Sequence, residues 1–89
     1  QVLFLNFGEE EASFCLSLLK QLRDNNINSE LYPTADKIKK QMNYANNKGV
    51  QFVVMVGEDE IKSGQLTIKD MRSGDQSKMK VSELIKNLS

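Results

Sequence analysis

Apolar residues recur along this chain with two different periods, and the change from one to the other divides it into elements. Val2-Leu3-Phe4-Leu5 is a continuous apolar run closed by Asn6-Phe7-Gly8, which reads as a short buried strand and the turn after it. From Glu9 the period lengthens. Ala12, Cys15, Leu16, Leu19 and Leu22 fall at helical spacing, and Glu9, Glu10 and Glu11 occupy the first turn, where the helix dipole favours acids. The spacing predicts a helix over 9–25 ending in Asn25-Asn26, residues that tolerate a turn conformation. SELYP (29–33) is a second strand, stopped by the only proline. Thr34 or Asp36 can cap the next helix, in which Ala35, Ile38, Met42 and Ala45 form the apolar stripe and Gly49 is the stop.

VQFVVMV (50–56) is apolar at nearly every position, as a strand covered on both faces should be. The polar stretch GEDE follows, then a turn at Ser63-Gly64. LTIKDM (66–71) alternates, with Leu66, Ile68 and Asp70 on one side and Thr67, Lys69 and Met71 on a wetter one. Ser73-Gly74 turns the chain back into SKMKV (77–81), an edge strand guarded by Lys78 and Lys80, and Ser82 caps a last helix burying Leu84, Ile85 and Leu88. The order β-α-β-α-β-β-β-α predicts an α/β fold: a five-stranded mixed sheet flanked by three helices, parallel where right-handed crossovers link the strands and antiparallel in the late hairpin. Ligands of such sheets lie beyond the carboxyl ends of the parallel strands. Here those ends are Asn6-Phe7-Gly8, Tyr32-Pro33-Thr34 and Gly57 to Glu60.

Composition narrows the chemistry. Residues 1–89 make one small domain, too short for a core plus a separate catalytic lobe. With no histidine and one cysteine, Ser-His-Asp triads, Cys-His pairs, the usual zinc sites and disulfide frameworks are excluded. No secretory signal is visible, and no apolar run approaches the roughly 18 residues of a membrane span, so a cytoplasmic setting without a membrane partner is expected. Opening at Gln1 directly in a strand fits a domain excised from a longer protein. The charges sum to zero but are unevenly spread: residues 1–36 hold two bases against six acids, net −4, and residues 37–89 ten bases against six acids, net +4. An anionic partner would meet the second half.

Two groups of residues could carry such a contact. Lys37, Lys40, Gln41, Tyr44 and Lys48 recur at spacings of three and four on the second helix, joining cations that neutralise phosphate to an aromatic that stacks on an unpaired base. A solvated face with a packed Tyr44 is the commoner origin of this pattern. Glu58, Asp59 and Glu60 form either a polar loop or a base-reading edge, since a carboxylate accepts from exocyclic base amines while Lys and Arg donate to base acceptors. Acid-base catalysis lacks a nucleophile or metal ligands nearby. Neither GxGxxG nor GxxxxGK[ST] occurs, so a nucleotide phosphate cradle is not supported. Cys15 and the methionines at 42, 55, 71 and 79 read as packing residues.

VLFLNFGEEE, ELYP, KIKKQMNYANNKGV, FVVMVGEDEIKSGQLTIKDM and SGDQ together resemble the C-terminal anticodon-binding domain of histidyl-tRNA synthetase, over essentially the whole chain. Related domains close the threonyl, prolyl and glycyl enzymes of the same class II subclass. The resemblance implies binding of the anticodon stem-loop of tRNA(His) and no catalysis or cofactor in this domain. ATP and Mg²⁺ would belong to the catalytic domain of a homodimeric parent ligase, a further partner. It also implies site residues: Glu60 aligns with the base-contacting glutamate, Lys69 with the cation of the next strand, Asn6 with a polar residue ending the first strand, and Lys40-Gln41 with the histidyl-type KKQ. Tyr32 and Asp70 stand beside them. Lys69 replaces the arginine of threonyl enzymes, so forked guanidinium geometry is not available here. Two rivals remain: the same fold reused as a regulatory or accessory nucleic-acid- or protein-binding module, and a small flavodoxin-like cofactor binder.

Overall fold

The chain steps outward from its first strand and then back across it, and this reversal organises the molecule. The computed structural model describes residues 1–88. Along them run β1 (Val2–Phe4), α1 (Glu9–Asp24), β2 (Ser29–Leu31), α2 (Ile38–Lys48), β3 (Phe52–Met55), α3 (Glu58–Ser63), β4 (Leu66–Asp70), β5 (Gln76–Met79) and α4 (Val81–Leu88). The strand order is β2-β1-β3-β4-β5. β1 pairs in parallel with β2 and β3, whereas β3–β4 and β4–β5 are antiparallel. Because parallel crossovers are right-handed, stepping one way to β2 and the other way to β3 puts α1 and α2 on opposite faces. The switch of direction opens a crevice beyond β1, where Asn6 lies.

Strand alternation then makes two cores. Val2 and Phe4, with Val54, Val56, Leu66 and Ile68, pack against Cys15, Leu18, Leu19 and Leu22 of α1 and Leu84 of α4. Leu3, Leu5 and Val53 point the other way, against Ala45 of α2, Tyr32 and Val50. Each fully buried Leu, Val or Phe stabilises the fold by roughly 1.5–3 kcal/mol. The predicted five-stranded mixed sheet and its three longer helices are present. Gly49 ends α2 in the left-handed region at φ 75°, and Asn26 closes the turn after α1 at φ 62°.

Several local expectations are corrected. Glu58, Asp59 and Glu60 are not a loop but the first turn of α3: extended Gly57 is its N-cap, the three acids sit at the positive helix end, and Gly64 at φ 76° stops it. The buried stripe of α1 is Cys15, Leu18, Leu19 and Leu22, leaving Leu16 58% exposed. On α2 the core positions are Gln41 and Ala45, while Ile38 is exposed. Neither Thr34 nor Asp36 caps α2, whose N-cap is Lys37 with no side-chain bond. β5 ends at Met79, and Ser82 lies inside α4, whose first turn closes on the Lys80 carbonyl through the N–H groups of Glu83 (3.0 Å) and Leu84 (3.1 Å).

Candidate nucleic-acid interface

The crevice beyond β1 is closed by a polar network. The Asn6 backbone N–H donates to Gln41 Oε1 at 2.7 Å, and Gln41 Nε2 donates back to the Asn6 carbonyl at 2.9 Å and to that of Asp36 at 2.8 Å. Asn6 Nδ2 donates to the Tyr32 carbonyl at 3.0 Å, and Asn6 Oδ1 accepts from the Gly8 N–H at 3.0 Å. Gln41 is completely buried, and Asn6 and Tyr32 nearly so. The exposed face read from helical spacing therefore loses Gln41 to the interior, because the backbone ends of β1 and of the loop before α2 need an amide that both donates and accepts. The Gly8 N–H is thereby engaged by the Asn6 side chain. The Tyr32 hydroxyl donates to Asp36 Oδ2 at 3.1 Å. Burial, and then that carboxylate, push the Tyr32 phenol up, while bonds from Thr34, Tyr32 and Lys40 hold the Asp36 carboxyl below its usual range.

The structure splits the remaining cations of α2. Lys37 and Lys40 lie at its start, beside this network, with Lys40 3.3 Å from Asp36 in an exposed pair that water and salt screen. Tyr44 and Lys48 lie nearer its other end, against the edge strand β2. Lys48 Nζ donates to both oxygens of Glu30 at 2.9 Å and sits 5.5 Å from the Tyr44 ring centre; the Tyr44 hydroxyl also donates to Glu30, and its ring meets Tyr32 edge-on at 5.3 Å. Lys48 holds the Glu30 carboxyl below its ordinary value, and Glu30 raises Lys48. Stacking ring and cation thus already satisfy one another.

A second polar cluster is built by α3, β4 and β5. Glu60 Oε1 accepts from the Gly57 N–H at 2.7 Å, the reaching-back arm of a capping box; glycine has no side chain for the other arm. Its Oε2 accepts from the Thr67 hydroxyl at 3.3 Å and lies 4.0 Å from Lys78 Nζ. β5 pairs Lys78 opposite Thr67 and Gln76 opposite Lys69, so these four residues share one sheet face, on the α2 side, and none of them is buried. Two further cations, Lys69 and Lys78, thus lie on this face. Asp70 is separated from this group, at the far end of β4, where its Oδ1 accepts from the N–H groups of Arg72 (2.8 Å) and Ser73 (3.3 Å) and forms the turn into β5. On the other face, Glu10 of α1 and Glu58 of α3 line a common groove with Lys62, beside Glu9, Glu11 and Asp59.

Sequence reasoning overlooked Thr67 and Lys78 as members of this site. Counting outward from a turn at Ser73-Gly74 would have set Lys78 opposite Lys69; the ladder is instead centred between Arg72 and Ser73, which sets Lys78 opposite Thr67, and the relation of both to Glu60 depends on α3, which the pattern did not reveal. Cys15 is buried, and its burial and then Glu11 push the thiol up to about 12, which leaves it unreactive. No helix among the described residues is long and apolar enough to cross a membrane.

Comparison with known proteins gives a consistent picture. A family model described as an anticodon binding domain matches residues 1–89. The histidine–tRNA ligase of Phocaeicola vulgatus is 47% identical over 85 residues, which is 96% of this chain and 19% of that one. That of Azobacteroides pseudotrichonymphae is 48% identical over the same shares. Among solved structures, histidyl-tRNA synthetase from Nostoc sp. PCC 7120 superposes with a TM-score of 0.92 at 27% identity, over 99% of this chain and 21% of that one. The RNA-binding domain of threonyl-tRNA synthetase from Cryptosporidium parvum, at 17% identity and TM-score 0.90, covers 98% of this chain and 22% of its own and shares the fold. The chain spans about a fifth of the length of the curated relatives it matches.

Proposed function

The chain belongs to the anticodon-binding domain family, and from that premise we propose that it binds the anticodon stem-loop of tRNA(His) as the C-terminal domain, excised here, of a cytoplasmic histidyl-tRNA synthetase. The parent would be an ATP-dependent, homodimeric ligase. ATP and Mg²⁺ are the business of its catalytic domain, and no residue of this chain is assigned to them.

The observation that carries the reading is the polar face of Thr67, Lys69, Gln76 and Lys78 beside Glu60, on the side of the sheet that α2 covers, with Lys37 and Lys40 at the start of that helix. In this reading Glu60 accepts from a base amine, while Lys40 and Lys69 meet phosphate and Lys37 adds to their field. Asn6, Gln41 and Tyr32 hold the crevice in shape, and Asp70 fixes the β4–β5 turn. Tyr44 and Lys48 would take part only by releasing Glu30. The acids of the first turns of α1 and α3 repel phosphate and turn the RNA toward the α2 side.

The test is binding of a GUG anticodon stem-loop against loops with each of those bases changed, at several salt concentrations. A preference for GUG, lost in Glu60→Gln, is the expected result. Lys40→Ala should weaken all loops alike and lower the salt slope by about one. Equal affinity for every loop would refute base reading and leave only an electrostatic surface.

A further inference from the structure

We propose that Thr67 and Lys78 are positioning residues for the Glu60 carboxylate, fixing the oxygen edge with which it meets a base; this rests on the base-reading role proposed for Glu60. A carboxylate offers about four acceptor sites on its two oxygens. The Gly57 N–H takes one on Oε1 at 2.7 Å, and the Thr67 hydroxyl takes one on Oε2 at 3.3 Å. One site on each oxygen is left for a ligand.

The torsion that turns a carboxylate about its last bond is broad. Held at Oε1 alone, the group could swing and accept from amines in several positions, which costs discrimination. Thr67 supplies the second point that defines its plane. Lys78 stands 4.0 Å from Oε2, beyond hydrogen-bond reach, and pulls that oxygen toward β5 by charge, against the pull of Gly57 on Oε1. The three side chains come from α3, β4 and β5, and the direct pairing of Thr67 with Lys78 aims both at one carboxylate. Only 16% of the Glu60 side chain is exposed, against 62% for Lys78, so the acid is held within the fold with an exposed cation at its rim. Orienting a contact group through supporting residues is what makes a polar contact selective.

The experiment uses the full-length protein, with the GUG stem-loop and its three single-base variants as probes. Glu60→Gln keeps an acceptor for the Gly57 N–H and should abolish preference at one anticodon position. Thr67→Val should reduce preference at that same position by about three- to tenfold, the value of one hydrogen bond. Thr67→Ser, which restores the hydroxyl, should restore the preference. Lys78→Gln should reduce it at that position too, and Lys78→Arg should recover it. Thermal midpoints confirm that each variant is folded. If Glu60→Gln abolishes preference but Thr67→Val keeps it in full, or Thr67→Ser fails like Thr67→Val, the positioning role is overturned and base reading stands. If Glu60→Gln leaves preference intact, base reading by Glu60 falls and the positioning role falls with it.

Discussion

Gln41 gives the sharpest test of the crevice, because a spacing argument puts it on the RNA-facing surface and the structure makes it the bolt between β1 and α2. In Gln41→Ala the Asn6 N–H, the Asn6 carbonyl and the Asp36 carbonyl all lose their partner. A buried polar group left unpaired costs about 1–3 kcal/mol, and the N–H, with no second option, sits at the upper end. The higher helix propensity of alanine returns only a few tenths of a kcal/mol. The net loss should be about 3–4 kcal/mol, a large share of the roughly 4–13 kcal/mol expected for a domain of this size. At the usual unfolding entropy per residue this lowers the thermal midpoint by about 16–21 °C. Urea denaturation followed by circular dichroism reads it directly.

Gln41→Glu separates the donors from the volume. Its carboxylate can still accept from the Asn6 N–H but faces the two carbonyls with no donor, so the variant should be as unstable as Gln41→Ala near neutral pH. Burial beside two carbonyls raises the folded pKa of the introduced carboxyl. Its penalty is therefore full above that raised value and is relieved as pH falls through it, because the protonated form donates to one carbonyl. A loss below about 1 kcal/mol for Gln41→Ala would refute the reasoning, since that is the scale of an ordinary surface substitution.

Other expectations follow from the same geometry. Glu30 has its folded pKa lowered below 4.5 by Lys48, so the pair stabilises the fold above 4.5 and loses that contribution as pH falls through the folded value. The stability difference between wild type and Glu30→Gln should thus be constant toward neutrality and vanish on acidification; persistence in strong acid would contradict it. Leu22→Ala, at a fully buried position of the α1 core, should cost about 2–5 kcal/mol in denaturant titrations. Gly64→Ala, forced to keep φ 76°, should cost about 1–2 kcal/mol and loosen hydrogen-exchange protection of α3, and an unchanged exchange pattern would count against Gly64 as its stop. Cys15 should resist alkylation in the folded protein at mildly alkaline pH and react once denatured.

The sequence alone determined the strands, the three longer helices and the mixed sheet, because strong apolar periods and glycine stops act within a few residues of chain. The reach of the resemblance over residues 1–89 came from the same local series of residues. Glu60 stands in the charge cluster after a buried strand and Lys69 on the wetter face of the next strand, and it is the resemblance that implies their roles. What they touch was decided elsewhere. Periodicity cannot distinguish a glutamine that faces water from one that satisfies two backbone carbonyls 2.8 and 2.9 Å away, so Gln41 was assigned to the wrong side of α2. It equally let Leu16 stand where Leu18 packs. Helix α3 was hidden because its six residues bury none of their side chains fully and so carry no apolar period; it is held by a glycine at each end, by a carboxylate returning to Gly57 and by its packing on its neighbours. The pairing of Lys48 with Glu30 and the meeting of Glu60, Thr67 and Lys78 join residues 18, 7 and 18 positions apart, contacts that exist only after strand order and register are set. Local chemistry chose the elements, and the sheet decided which charges are spent on one another and which stay free to meet a ligand.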